Sequence, residues 1–142
     1  MDIAEFLNAR YDEDEVAASA LDFVHIEATE GVWSSKYLTL RKSDGTVSHT
    51  SELPAALADH VVRHDPARVL ADIAAKRRIL AAFDADDAVW AEVRAAANGR
   101  PSFDHQRARS LQNETTLMVL RNLAAPYAEH PDYAAAWAVD AA

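Results

Sequence analysis

His60-Val-Val-Arg-His-Asp-Pro-Ala-Arg-Val-Leu-Ala-Asp-Ile-Ala-Ala-Lys-Arg-Arg-Ile-Leu80 holds the clearest helix start in the chain and its longest amphipathic run. Asp65 suits an N-cap, because its carboxylate can accept from the open N–H groups of a first turn. Pro66 follows at the first helical position, where a missing N–H costs nothing. Val69, Leu70, Ile73, Leu80 and Phe83 then recur at three, four and seven, which draws one apolar stripe. Arg68, Asp72 and Lys76 alternate in sign four apart, each pair adding roughly 0.2–0.5 kcal/mol. Lys76, Arg77 and Arg78 read as the carboxyl-terminal end of this helix, where positive charge suits the macrodipole. Upstream, Leu53 to His64 reads as a shorter helix broken at Asp65-Pro66, since a residue before proline leaves the α region. The resulting helix–corner–helix has the outline of a helix-turn-helix DNA binder.

Working back toward the amino terminus, Asp2 and Glu5 stand in capping-box register ahead of Ile3, Phe6, Leu7 and Tyr11. That predicts a helix over residues 1–22. Asp12-Glu-Asp-Glu15 wraps acid around its middle. From Phe23 the period drops to two: Val24, Ile26 and Ala28 share one side, and Leu38 and Leu40 do so in a second run from Trp33 to Lys42. Thr29-Glu-Gly31 can turn between them. Asp44-Gly45 predicts a two-residue hairpin with positive φ at both positions, returning through Thr46 to Thr50. The expectation is a three-stranded antiparallel sheet within residues 23–50. Beyond the central helix, Asp84 to Asp87 reads as a polar break before a helix over Ala88 to Ala97, closed by Asn98-Gly99. A further helix is predicted over Phe103 to Ala125, ended by Pro126, and Pro131 opens a last short one carrying Tyr133 and Trp137.

The chain has 142 residues, which points to one domain with a real core. No apolar run of about 18 residues occurs, and Met-Asp-Ile-Ala-Glu lacks the basic and apolar regions of a signal peptide. With no cysteine, disulfides, thiol catalysis and cysteine zinc sites are excluded. A cytoplasmic protein fits. The net charge is −9. Residues 1–30 carry nine acids against Arg10 alone, a balance of −8, so the remainder is nearly neutral. Nucleic-acid binding needs a positive surface, and this balance argues against it.

Few residue groups carry chemistry. His60 and His64 are four apart with Asp65 adjacent, a spacing that can bind a metal, and His130 is the further residue such a hydrolase would draw on. Zinc and iron sites need three or four converging ligands, and Asp65 is already explained as a cap. His130-Pro-Asp-Tyr133 sets a base, an acid and a phenol in one turn, yet a cap and a buried tyrosine account for the same residues. No serine has a nucleophile context, and three glycines, at 31, 45 and 99, build no phosphate loop. Lys76, Arg77 and Arg78 can grip an acidic surface or be neutralised by Asp12, Glu13, Asp14 and Glu15. Trp33, Trp90 and Trp137 read as packing residues, since no basic groove accompanies them.

Arg63-His-Asp-Pro-Ala-Arg-Val-Leu70 with Ala75-Lys-Arg-Arg-Ile-Leu80, and Leu123-Ala-Ala-Pro-Tyr-Ala-Glu-His-Pro-Asp-Tyr133 with Trp137, resemble a family of small uncharacterised actinobacterial and actinobacteriophage proteins, a domain of unknown function. Ala9-Arg-Tyr-Asp-Glu-Asp-Glu15 is similar too. Many members carry cysteines and a histidine ahead of the second motif in a zinc-like arrangement. This chain has Asn113-Glu-Thr-Thr-Leu-Met118 there instead. The resemblance implies a source and a fold, and no mechanism.

The sequence therefore predicts a single α+β domain, mostly α: an acidic helix, a small antiparallel sheet, then four or five helices over residues 53–142. The expected function is non-enzymatic: a phage- or mobile-element-encoded protein that binds and modulates a host or phage protein, acting in the host cytoplasm. Asp12 to Glu15 and Lys76 to Arg78 are the candidate binding residues. No cofactor, metal or membrane is expected, and a homo-oligomer is compatible with the sequence. The alternatives are a metal-dependent hydrolase using His60, His64, Asp65 and His130, and a helix-turn-helix-like regulator.

Overall fold

The computed structural model describes residues 1–21, 25–31, 35–50 and 52–139. They pack as two compact units, residues 11–74 and residues 1–10 with 75–142. The fold is α+β and mostly helical, with four α-helices and a small antiparallel sheet.

In the unit of residues 11–74, β1 (His25–Glu30), β2 (Ser35–Arg41), β3 (Val47–His49) and β4 (Leu53–Pro54) form one antiparallel sheet. β2 pairs with all three others. Ile26 lies opposite Leu40 and Ala28 opposite Leu38, so the four share a face, as the period-two alternation requires. Helix α2 (Ala55–Arg63) covers that face with Ala58, Val61 and Val62. Lys36 joins the layers, donating to Asp59 at 2.7 Å. That hydrogen bond raises the Lys36 pKa, with the charges of Asp59 and Glu30 adding to it.

The corner ahead of α3 (Pro66–Ala96) is built as its residues dictate. The Arg68 N–H donates to Asp65 Oδ1 at 2.8 Å, and the other carboxylate oxygen lies 3.4 Å from His25 Nδ1. At the chain start, α1 (Ile3–Ala20) opens with the reciprocal capping box: the Asp2 N–H donates to Glu5 and the Glu5 N–H to Asp2, both at 2.8 Å. Tyr11, fully buried in α1, has its phenol pKa pushed up to about 12 by burial and then by the charges of Asp72 and Asp14.

Five details differ from the sequence reading. Leu53 and Pro54 do not begin a helix; they pair with Lys36 and Ser35, where Leu53 packs on the sheet core and proline's missing N–H is tolerated at an edge. Asp44 does not take positive φ; only Gly45 does, at 86°. The Gly45 N–H donates to Lys42 O and the Lys42 N–H to Thr46 O, so the loop has three residues with glycine at its left-handed position. Asp44 instead accepts from the Thr46 N–H at 2.8 Å. Residues 84–87 do not break the helix, and α3 runs unbroken for 31 residues. Aspartate costs a helix only a few tenths of a kcal/mol (~0.7 at most) and no Gly or Pro intervenes. Lys76, Arg77 and Arg78 thus sit inside α3, far from the dipole's negative end. Pro131 opens a turn, and the last helical piece is a single 3-10 turn at Ala135–Trp137. Phe23, Val24 and Trp33 lie outside the described residues.

In the unit of residues 1–10 and 75–142, α3 ends at the Asn98-Gly99 cap, with φ of 49° and 76°. The Gly99 N–H donates to Arg94 O at 2.9 Å, closing the helix end. Ser102 then caps α4 (Phe103–Ala124), its hydroxyl accepting from the His105 N–H at 3.3 Å. Trp90 and Asp86 near the end of α3 both bond Gln112 of α4, so the last turns of α3 and the following α4 run as an antiparallel helical hairpin. Past α4, Ala125–Tyr127 forms a 3-10 turn at Pro126. Phe6 is fully buried, with the rings of Tyr127, His130, Tyr133 and Trp137 packed around it at centroid distances of 5.1–6.3 Å. The Arg10 guanidinium lies 5.3 Å from the Phe6 centroid.

Candidate functional site

The half-buried residues of α3 past Leu80 are Phe83, Asp86, Trp90 and Val93. Their spacings are three, four and three, so the seam continues through the acidic stretch and Asp86 occupies a position meant for an apolar residue. On α4 the matching half-buried set is Arg109, Gln112, Thr116, Val119 and Leu123. The polar members answer one another. Gln112 donates its amide N–H to Asp86, while the Trp90 Nε1–H donates to Gln112 Oε1 at 2.9 Å. Arg109 reaches Asp86 at 3.3 Å and also pairs with Asp87. Its guanidinium carbon stands 5.6 Å from the Trp90 ring centroid, and His105 meets that ring edge-on at 6.4 Å.

Beside this network lies a cleft of about 700 Å³. Trp90, Arg94 and Asp87 line it from α3, and Gln106, Arg109, Ser110 and Asn113 from α4. Asp87 is held by Arg109, whereas among the described residues the exposed Arg94 guanidinium has neither an ion pair nor a hydrogen bond. The cleft thus combines an indole wall, a cation and several amide and hydroxyl groups. The sequence does not point to it, because Trp90 reads as a packing residue and residues 84–87 as a polar break. The signal present was the three-four spacing running through Asp86.

The opposite side of α4 has no such cover. Phe103 is 75% exposed, Leu111 57% and Met118 57%. Rotating 100° per residue, these three fall within about 80° of one another and face away from Gln112, Thr116 and Val119. These exposed apolar side chains, with Arg107 and Glu114 between them on the outside of a helix whose inside carries Val119 and Leu123, are the other feature that packing in this unit does not explain.

The sequence-derived site residues are distributed as follows. His60 and His64 are exposed on α2 and its C-cap, with ring centroids 4.7 Å apart. Asp65 turns away from them into its cap and toward His25, whose Nε2 lies 3.1 Å from Glu27. His130 belongs to the other unit, where the Arg10 guanidinium reaches its ring nitrogens and the Asp132 N–H donates to Nδ1 at 3.1 Å. Among the described residues, no group of three or more His, Asp or Glu side chains is placed to hold a metal ion. Asp12 and Glu13 are exposed on α1, Asp14 and Glu15 half-buried; Lys76 and Arg77 are half-buried on α3 and Arg78 exposed. Tyr133 packs edge-on to Phe6 at 6.0 Å, so the His130 to Tyr133 turn is part of the aromatic cover.

Among the described residues, no helix is long and apolar enough to cross a membrane. No curated protein and no solved structure matches the chain. Its stretches around Asp65 and His130 form the cap of α3 and part of the cover over Phe6. Residues 1–139 match the model of a family of unknown function (DUF6221), and the chain belongs to that family.

Proposed function

We propose that this chain is a non-enzymatic binding protein, of actinobacterial or actinobacteriophage origin, that docks on a host or phage protein and modulates it. The observation that carries the reading is the outward row of Phe103, Leu111 and Met118 on α4, exposed by 75%, 57% and 57%. Large apolar side chains gathered on one outer helix face mark protein-binding surfaces. The acidic α1 gives such a protein a second means of selection. Asp12 and Glu13 stand near Val16, which is 70% exposed, and the net charge of −8 over residues 1–30 speeds encounter with a basic partner. The origin rests on the two motif stretches, Arg63 to Leu70 and Leu123 to Tyr133.

The test is comparative capture from an actinobacterial lysate, with the parent chain and a Phe103→Glu/Met118→Glu variant as baits. Both residues are exposed, so the variant should melt like the parent. A protein retained by the parent and lost from the variant supports the reading. Equal retention by both moves the surface elsewhere. Concentration-dependent self-association of the parent, abolished in the variant, would assign the row to a second copy of this chain and overturn the heterologous reading.

A further inference from the structure

We infer that the cleft between α3 and α4 is a binding site for a small planar aromatic anion, a ring bearing a carboxylate or phosphate about one helical turn from it. Three observations lead there. The first is size: about 700 Å³ falls in the range of small-molecule sites, about 300–1,000 Å³. The second is the pairing of an indole with a cation that has no partner among the described residues. Trp90 and Arg94 are one turn apart on the same helix and both line the cleft, a separation of roughly 5–6 Å at Cβ. A flat ring can stack on the indole while its anionic group meets the guanidinium. Asn113, Ser110 and Gln106 add hydrogen-bonding groups across the opening.

The third observation is the network behind the wall. Asp86, Gln112 and Arg109 occupy seam positions where leucine would pack the hairpin without burying charge. What the polar set achieves is orientation. Gln112 holds the Trp90 Nε1–H, and Asp86 holds Gln112. Arg109, tied to both Asp86 and Asp87, covers the indole. Binding groups held this way by a supporting layer of hydrogen bonds are preorganised, which lowers the entropy cost of taking up a ligand. Of the charged side chains that line the cleft, Asp87 is paired with Arg109 and Arg94 is the further cation; Asp86, which shares Arg109, stands behind the wall. A neutral or cationic ring would leave the Arg94 guanidinium unmatched.

Titrating the full chain with adenosine monophosphate, indole-3-acetate, adenosine and inorganic phosphate tests this, read by amide chemical-shift changes. At least one of the two ring-bearing anions should bind saturably, with shifts confined to residues 87–113. Which one binds identifies the source, nucleotide or aromatic acid. Arg94→Gln, at an exposed residue without partners among the described residues, should weaken that binding about tenfold or more, the loss of one charge-assisted contact. Asp86→Leu/Gln112→Leu should weaken it while the hairpin remains folded. Failure of both anions to saturate at low-millimolar concentration overturns the inference. So does equal affinity of adenosine or phosphate, which would remove the need for the anion or the ring, and so does unchanged binding by Arg94→Gln. Loss of a captured partner through Phe103→Glu/Met118→Glu bears only on the opposite face, so the two readings fail separately.

Discussion

Replacing Asp65 separates two contributions that meet at one carboxylate. The side chain is 11% exposed. One oxygen accepts from the Arg68 N–H at 2.8 Å, capping a 31-residue helix, and the other lies 3.4 Å from His25, whose side chain is 48% exposed. Losing the cap costs about 0.5–2 kcal/mol. Losing the contact with so open a partner, an ion pair only when the His25 ring is protonated, costs about 0–1 kcal/mol after solvent screening. Asp65→Ala should therefore destabilise by about 0.5–3 kcal/mol. With a urea slope of about 2 kcal/mol/M, the midpoint falls by roughly 0.3–1.5 M. Asp65→Asn keeps the cap, since asparagine caps about as well, and gives up only the charge opposite His25. It should recover most of the loss. Urea melts of both variants, followed by far-UV circular dichroism, decide the matter. An Asn variant as unstable as the Ala variant would show that the charge, and not the cap, holds the corner. An Ala variant that melts like the parent would refute the whole reasoning.

Three further outcomes follow from single side chains. Tyr11 holds its phenol proton up to about 12, against 10.0 for the unconstrained group. The folded state therefore keeps a proton that the unfolded state releases, so stability falls as pH rises through that window, by about 3 kcal/mol at most. Tyr11→Phe should lack this alkaline loss in melts between those pH values, and an unchanged loss would put its origin elsewhere. Gly45→Ala meets no atom within 4 Å but inherits a φ of 86°, so it should cost about 1–2 kcal/mol from conformation alone, and Gly45→Asn less. A thermal melt of Gly45→Ala equal to the parent's would contradict the three-residue loop. Phe6→Ala empties the centre of a shell of four rings and should cost about 3–5 kcal/mol, whereas a drop below about 1 kcal/mol, small for a buried core residue, would mean the shell closes without it.

What the sequence made legible was local punctuation. Asp65-Pro66, Asp2 with Glu5, and Asn98-Gly99 each use a side chain or backbone preference that acts within one turn, and each stands where the residues put it. The sheet was legible because Ile26, Ala28, Leu38 and Leu40 alternate, and a register error would have turned them to solvent. The unbroken α3 was not, because four residues with three acids look like a loop until Arg109 and Gln112 on another helix are known to answer them. The outward row on α4 was hidden for a related reason. Leu111, Leu117 and Met118 are apolar like the inner residues, and without the partner helix nothing says which face turns inward. The aromatic cover lay beyond periodicity altogether, since Phe6 and Trp137 are 131 positions apart in a chain of 142.

Met118 stands in the outward row of α4, and the chain has only two methionines, Met1 and Met118. A methyl spectrum of methionine-labelled protein therefore contains two signals, assigned by Met118→Leu. Adding the partner retained in the comparative capture should shift or broaden the Met118 methyl in step with complex formation, with the Met1 signal left in place. A Met118 signal unmoved at saturating partner would mean that the outward face of α4 stays open to water in the complex, contradicting the assignment of that face as the docking surface.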